Sequence, residues 1–176
     1  MVKLIFWGLL LLNLNLVYAK LANLPEQEIY SRLAIETDTV FIGRVLRVKT
    51  INDGLVYTNG DTLPIGIMEQ EVLKVYRGKI SKGDKLLVCT WFDNGYFPFG
   101  PLIGTEALVF GVKIDKKVLL PRVSGYFSGV PKNESIIYKA IRLKRKPIAK
   151  GDGVLATYII NNKLTRNACN EPVTWP

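Results

Sequence analysis

Histidine is missing from the 176-residue chain, and cysteine appears only twice, at Cys89 and Cys169. Without histidine there is no Ser-His-Asp or Cys-His machinery and no imidazole general base. Two thiols alone cannot build the four-ligand sites that structural zinc requires. The sequence therefore calls for no metal and no cofactor. Long apolar runs are equally scarce. Apart from the N-terminus, no stretch approaches the roughly 20 residues a membrane-spanning helix needs. No internal repeat and no low-complexity tract interrupts the chain.

The one apolar run lies at the start. Lys3 supplies a positive charge, Leu4 to Leu12 an almost unbroken hydrophobic core, and Val17-Tyr18-Ala19 small residues at the −3 and −1 positions of a cleavage site. That grammar is a secretory signal peptide over 1–19, too short to serve as a permanent span. Asn13 and Asn15 break the run further, and a retained anchor is the competing reading. A mature domain of 20–176, secreted or periplasmic, is the expectation, with no transmembrane span after cleavage. Its size suits one domain with a real core.

Lysine and arginine outnumber the acids 24 to 15, a formal net charge of +9 from which only Lys3 leaves with the signal. Such a balance favours solubility and attraction to anionic surfaces, and says little about fold. In an oxidising compartment an isolated cysteine pair in one domain favours a bridge, so Cys89–Cys169 is the expected disulfide; two buried free thiols are the alternative.

Along the chain, Ile29 and Leu33 at helical spacing predict a short helix over 26–35. Residues 40–48, rich in β-branched side chains, predict a strand, with Gly43 marking a bulge or sharp coil. Asn52-Asp53-Gly54 and Asn59-Gly60 are turn signals within a long excursion from Thr50 to Gly66, with a hairpin about 55–58. Strands are expected over 68–76, 85–92, 106–113 and 118–123, the last two joined by a tight turn at Asp115-Lys116. Ile136, Ile137, Ala140 and Ile141 predict an amphipathic helix stopped by Pro147, with a strand over 136–143 as the competitor. Val154 to Ile160 is a further apolar run. The pattern points to a mainly β protein: a small barrel or sandwich with one or two helices.

Four segments, in order, carry a resemblance. Asp38-Thr39-Val40-Phe41-Ile42-Gly43-Arg44-Val45 is similar to a "D-x-V-F-x-G-x-V" strand, and Val72-Leu73-Lys74-Val75-Tyr76-Arg77-Gly78 to a "V-x-x-V-[YWF]-[KR]-G" segment. Leu86-Leu87-Val88-Cys89-Thr90 follows, then Gly104-Thr105-Glu106-Ala107-Leu108-Val109-Phe110, which resembles "G-x-x-Y-L-V-F". Together, over about 38–123, they resemble the netrin-like superfamily, which includes the tissue inhibitors of metalloproteinases and small exported bacterial relatives. The resemblance implies a five-stranded OB-type barrel, closed or partly open, with flanking helices and a terminal cysteine tying the end of the domain to the barrel. The inhibitors chelate their target's zinc through an N-terminal cysteine. This chain would begin at Lys20, which argues against that mechanism. Asn94-Gly95 and Phe99-Gly100 stand where relatives often carry a Cys-Gly pair before the last hairpin, so any bridge here must use Cys89 on its strand.

No set of residues has the pattern of a catalytic constellation, and the expectation is a binding module rather than an enzyme. Glu69 and Glu71 share a strand face but have no nucleophile or metal partner in the sequence. Two groups are candidates for contact. Trp91, Phe92, Tyr96, Phe97 and Phe99 form an aromatic set at an expected barrel rim, suited to a protein or ligand, with capping of the core as the competing role. Lys139, Arg142, Lys144, Arg145 and Lys146 form a basic side on the later helix, suited to an anionic envelope component, with an ordinary solvated face as the competitor. The partner is thus an unidentified protein or envelope ligand, with no nucleic acid expected. Asn133-Glu134-Ser135 fits a glycosylation sequon, which matters only in a eukaryotic source.

Overall fold

The computed structural model describes residues 25–91, 103–114, 116–119, 126–129, 131–144, 164–169 and 171–175. The expected signal peptide, the aromatic set beyond Trp91 and the 154–160 run lie outside them.

Helix α1 (Glu26–Glu36) precedes five strands: β1 (Thr39–Tyr57), β2 (Thr62–Arg77), β3 (Lys85–Trp91), β4 (Glu106–Ile114) and β5 (Lys117–Leu119). Short β6 (Tyr126–Ser128), helix α2 (Glu134–Ile141) and β7 (Leu164–Asn167) follow. The first five strands close a ring in the order β1-β2-β3-β5-β4 and back to β1. All its pairings are antiparallel except β3 with β5. This is an OB-type barrel. It closes through its shortest element, since β5 meets β3 over only Leu87–Cys89. β6 adds to β4 and β7 to the far end of β1.

Strand alternation sorts the apolar residues into three layers. Phe41 and Val45 of β1, Met68 and Val72 of β2, Leu86 and Val88 of β3, with Val109 and Val118, fill the barrel. The intervening Val40 and Ile42 of β1, with Leu108 and Phe110 of β4, point outward. Tyr30, Leu33 and Ala34 of α1 and Ile137 and Ala140 of α2 cover them. That is why Val40 to Ile42 reads as a continuous apolar run: both of its faces are buried. A third layer lies outside β2 and β3, where Ile65, Ile67 and Cys89 meet Leu55, Val112, Ala168 and Cys169.

Both helices fall where the periodicity predicts them, and the strand alternative over 136–143 is not adopted. The 50–66 excursion differs. β1 runs on to Tyr57 and β2 begins at Thr62, so only Asn59-Gly60 turns, with Gly60 at φ 87°. Asn52-Asp53-Gly54 is instead a bulge, seen as a register shift between Ile51 and Leu55 against β2. Gly54 has a packing role there. A Cβ on it would come within 2.1 Å of Ile65 Cγ1, so the strands can close over the buried isoleucine only without a side chain. Gly43 does produce the expected irregularity, and a Cβ there would lie 2.4 Å from Gln70 Oε1 inside the barrel.

Candidate functional site

After β7 the chain continues along β1 in the same direction. Ala168 N–H donates to Gly54 O at 2.7 Å, and Lys49 Nζ donates to Thr174 O at 2.6 Å, so the C-terminal segment runs antiparallel beside the strand. Its end is pinned by Trp175, over whose ring the Arg47 guanidinium sits 4.5 Å from the centroid. The same guanidinium makes a two-pronged pair with Glu69 at 2.7 and 2.8 Å, across the β1–β2 register. That pair lowers the Glu69 carboxyl from its ordinary value. Between β1 and this segment lies an open groove of about 410 Å³. Lys49 to Asp53 line one wall, Glu171 to Thr174 the other, and Ala168 one end. The volume falls in the range of small-ligand sites.

On the adjoining face, Cys89 and Cys169 are both fully buried and approach to 2.8 Å as free thiols. The Cys169 thiol is pushed well above the usual range by its hydrogen bond with Cys89, then by burial; Lys117 pulls weakly the other way. The fold thus brings together two residues 80 positions apart in sequence, in the third apolar layer.

The helix face is organised by one strand end. Arg77 donates to Ala34 O and to Thr37 O (2.7 Å) at the C-terminus of α1, and to Ile141 O (3.3 Å) at the C-terminus of α2. Lys74 pairs with Glu134 in the first turn of α2, which lowers the Glu134 carboxyl and raises the Lys74 amine. The Tyr76 ring meets Tyr138 edge-on at 5.4 Å, and burial first, then Glu134, raises its hydroxyl pKa. Asn133 caps α2 by accepting from Ser135 N–H.

Most of the residues that carry the family resemblance are therefore occupied within the fold. Asp38 accepts from Lys113 N–H and Thr39 Oγ1. Val40 to Val45 fill two layers, and Lys74 to Arg77 hold the helices. Gly78, at φ 119°, lies against Thr39.

Of the aromatic set, Trp91 is the last residue of β3 and stands opposite Ile65, itself opposite groove-lining Ile51. Phe92, Tyr96, Phe97 and Phe99 lie outside the described residues. Of the basic set, Lys139 and Lys144 are exposed and Arg142 forms the C-cap of α2. Arg145 and Lys146 lie outside the described residues. The groove was not foreseen, because both its walls read as turn or tail in sequence. Among the described residues, no three metal-ligating side chains gather, and no helix is long and apolar enough to cross a membrane.

The fold and this arrangement define a class: an OB-type barrel whose outer β2–β3 face is strapped by its own C-terminal segment. No protein-family model matches the chain, and no curated protein resembles it significantly.

Proposed function

We propose that this chain is an exported, non-enzymatic binding module of netrin-like type, acting through protein or ligand contacts at the barrel rim. One observation supports the reading best. The end of the long β1–β2 hairpin and the C-terminal strap meet at the Lys49–Asp53 groove, and Trp91 ends β3 two strands across from groove-lining Ile51. OB barrels offer their contact surfaces on the β2–β3 side and the loops beside it. Elsewhere, the ionised pairs Arg47–Glu69 and Lys74–Glu134 hold one element to another.

The test is capture of a partner by the purified 20–176 protein, with cross-links mapped by mass spectrometry. Cross-links at 49–53 and 171–174 that survive high ionic strength support the reading. A second reading, attachment to anionic envelope components through the basic side of α2, draws on exposed Lys139 and Lys144. Under it, binding disappears above about 0.5 M salt, where the Debye length falls to a few Å, and charge removal at Lys139 and Arg142 abolishes it.

A further inference from the structure

Helix α2 covers the barrel with one side only. Ile137 and Ala140 are buried among Tyr30, Leu33 and Ala34 of α1 and Leu108 and Phe110 of β4. The opposite side carries Tyr138, Lys139, Arg142 and Leu143, all exposed, and exposed Lys144 follows. Leu143 N–H donates to Ala140 O at 3.2 Å, so the turn continues past the helix end. Tyr138 and Arg142 therefore stand one turn apart, as do Lys139 and Leu143, and the four share a face. Tyr138 is 43% exposed and Leu143 45%, two of the three large apolar side chains exposed among the described residues. The side chains of Lys139, Arg142 and Lys144 make no hydrogen bond or ion pair among the described residues. Of the acids on the two helices, Glu134 pairs with Lys74, Glu28 with Arg32, and Glu26 accepts from the Tyr30 hydroxyl. The outer face of α2 thus joins three uncompensated cations to two exposed apolar groups.

We infer that this face docks reversibly on a bilayer rich in anionic phospholipid, with Tyr138 and Leu143 entering the headgroup layer. The inference rests on α2 as an anionic-attachment face and not on the groove. Charge complementarity selects the sign of the occupant, and Arg145 and Lys146 extend the basic run in sequence. The apolar pair selects a lipid surface over a soluble polyanion. A polyanionic chain gives Leu143 nothing to bury against, whereas a bilayer interface takes up leucine and favours tyrosine at headgroup depth. Lysine stems lie along such an interface while their ammonium groups reach phosphate. A free amphipathic helix enters the interface on its apolar side, but in α2 that side is spent on the barrel. Contact is therefore shallow: a few cations, each worth about fivefold in affinity, and two apolar contacts.

The probe is a phosphatidylcholine vesicle containing about one-third phosphatidylglycerol, sedimented with the 20–176 protein. Pure phosphatidylcholine vesicles and soluble dextran sulfate, the latter followed by calorimetry, accompany it. The protein is expected to sediment with the anionic vesicles, stay free of the neutral ones, and be released by about 0.5 M salt. Lys139→Gln/Lys144→Gln should weaken vesicle binding at least about tenfold. Leu143→Ser should weaken it at least about threefold and leave dextran sulfate binding unchanged. All three positions are exposed, and far-ultraviolet circular dichroism verifies that each variant stays folded. The comparison of vesicle compositions needs no variant. No sedimentation with anionic vesicles overturns the inference, as does equal sedimentation with neutral ones. Binding to dextran sulfate together with unchanged vesicle binding by Leu143→Ser also overturns it, while keeping α2 as an anionic-attachment face. Binding to neither vesicles nor dextran sulfate overturns both and leaves the groove reading intact.

Discussion

Replacing Arg77 by methionine keeps most of the buried stem and removes the guanidinium that holds the ends of both helices. In the native protein that group donates to three main-chain carbonyls, those of Ala34, Thr37 and Ile141. The first two are short, charge-assisted bonds, and the third is long at 3.3 Å. Net contributions of about 1–1.5 kcal/mol for each short bond, with a smaller share for the third, give a loss of about 3 kcal/mol. The cation's favourable placement at two helix C-termini is contained within that figure, not added to it. A fall of this size is a large fraction of the total stability of an ordinary domain. Helix α2 should feel it most. It has eight residues, too few to persist alone, and it buries only Ile137 and Ala140. Urea denaturation followed by far-ultraviolet circular dichroism gives the global loss, and hydrogen exchange at α2 amides gives the local one. Arg77→Lys should recover less than half, because an ammonium cannot span two helix ends. If Arg77→Met unfolds within about 0.5 kcal/mol of the native chain, the range of an ordinary surface change, the guanidinium does not join the helices and the reasoning fails.

Other outcomes follow from single contacts. Gly54→Ala places a methyl in the space of Ile65 and should cost about 1–3 kcal/mol by urea denaturation, whereas Gly60→Ala, with open space but φ 87°, tests strain alone. Gln70 is fully buried in the barrel and its Oε1 has no hydrogen-bond partner among the described residues, so Gln70→Leu should raise stability by about 1 kcal/mol; a loss would show that the amide is satisfied. Glu69 and Glu134 both have lowered pKa values in the fold, so the unfolded chain binds more protons as acid is added. Their stabilisation is complete above the ordinary glutamate value near 4.3 and is lost as pH falls through the lower folded values. Glu69→Gln should flatten that acid limb, and an unchanged slope refutes the assignment. We further propose that Cys89 and Cys169 are bridged in exported protein. Alkylation without reductant should then leave both unmodified, and two labelled thiols in folded secreted material refute it. Cys169→Ala should cost at most about 4–5 kcal/mol in the oxidised protein, the loop-closure limit for a loop of this length.

The barrel was legible in sequence because its strands are buried on one or both faces, which leaves runs such as Val40 to Val45 and Leu86 to Cys89 little alternative to extended structure. The helices were legible for the same reason. Ile137 and Ala140 repeat at helical spacing, and Asn133 supplies the cap. The groove was not legible, and the cause is specific. Asn52-Asp53-Gly54 has turn composition, but the missing side chain of Gly54 serves a bulge that lets Ile65 close beneath it. Local composition cannot distinguish these uses, since both need a residue without a side chain, and only the partner strand decides.

The same distinction bears on what the resemblance motifs can mean. In sequence Tyr76 and Arg77 are polar-tipped residues at the end of a strand, with nothing there to say what they contact. In the fold the arginine is spent on helix carbonyls and the tyrosine packs against Tyr138 beside Glu134. In this chain these segments therefore report how the helices dock on the barrel, and a shared fold need not mean a shared ligand. Residues left for contact with a partner should lie where the fold makes no internal demand. In this chain Thr50 and Asn52 of β1 are such positions, exposed between two register shifts and lining the groove. By urea denaturation, a change at Thr50 or Asn52 should accordingly leave stability within about 0.5 kcal/mol, whereas Arg77→Met should lower it by about 3 kcal/mol.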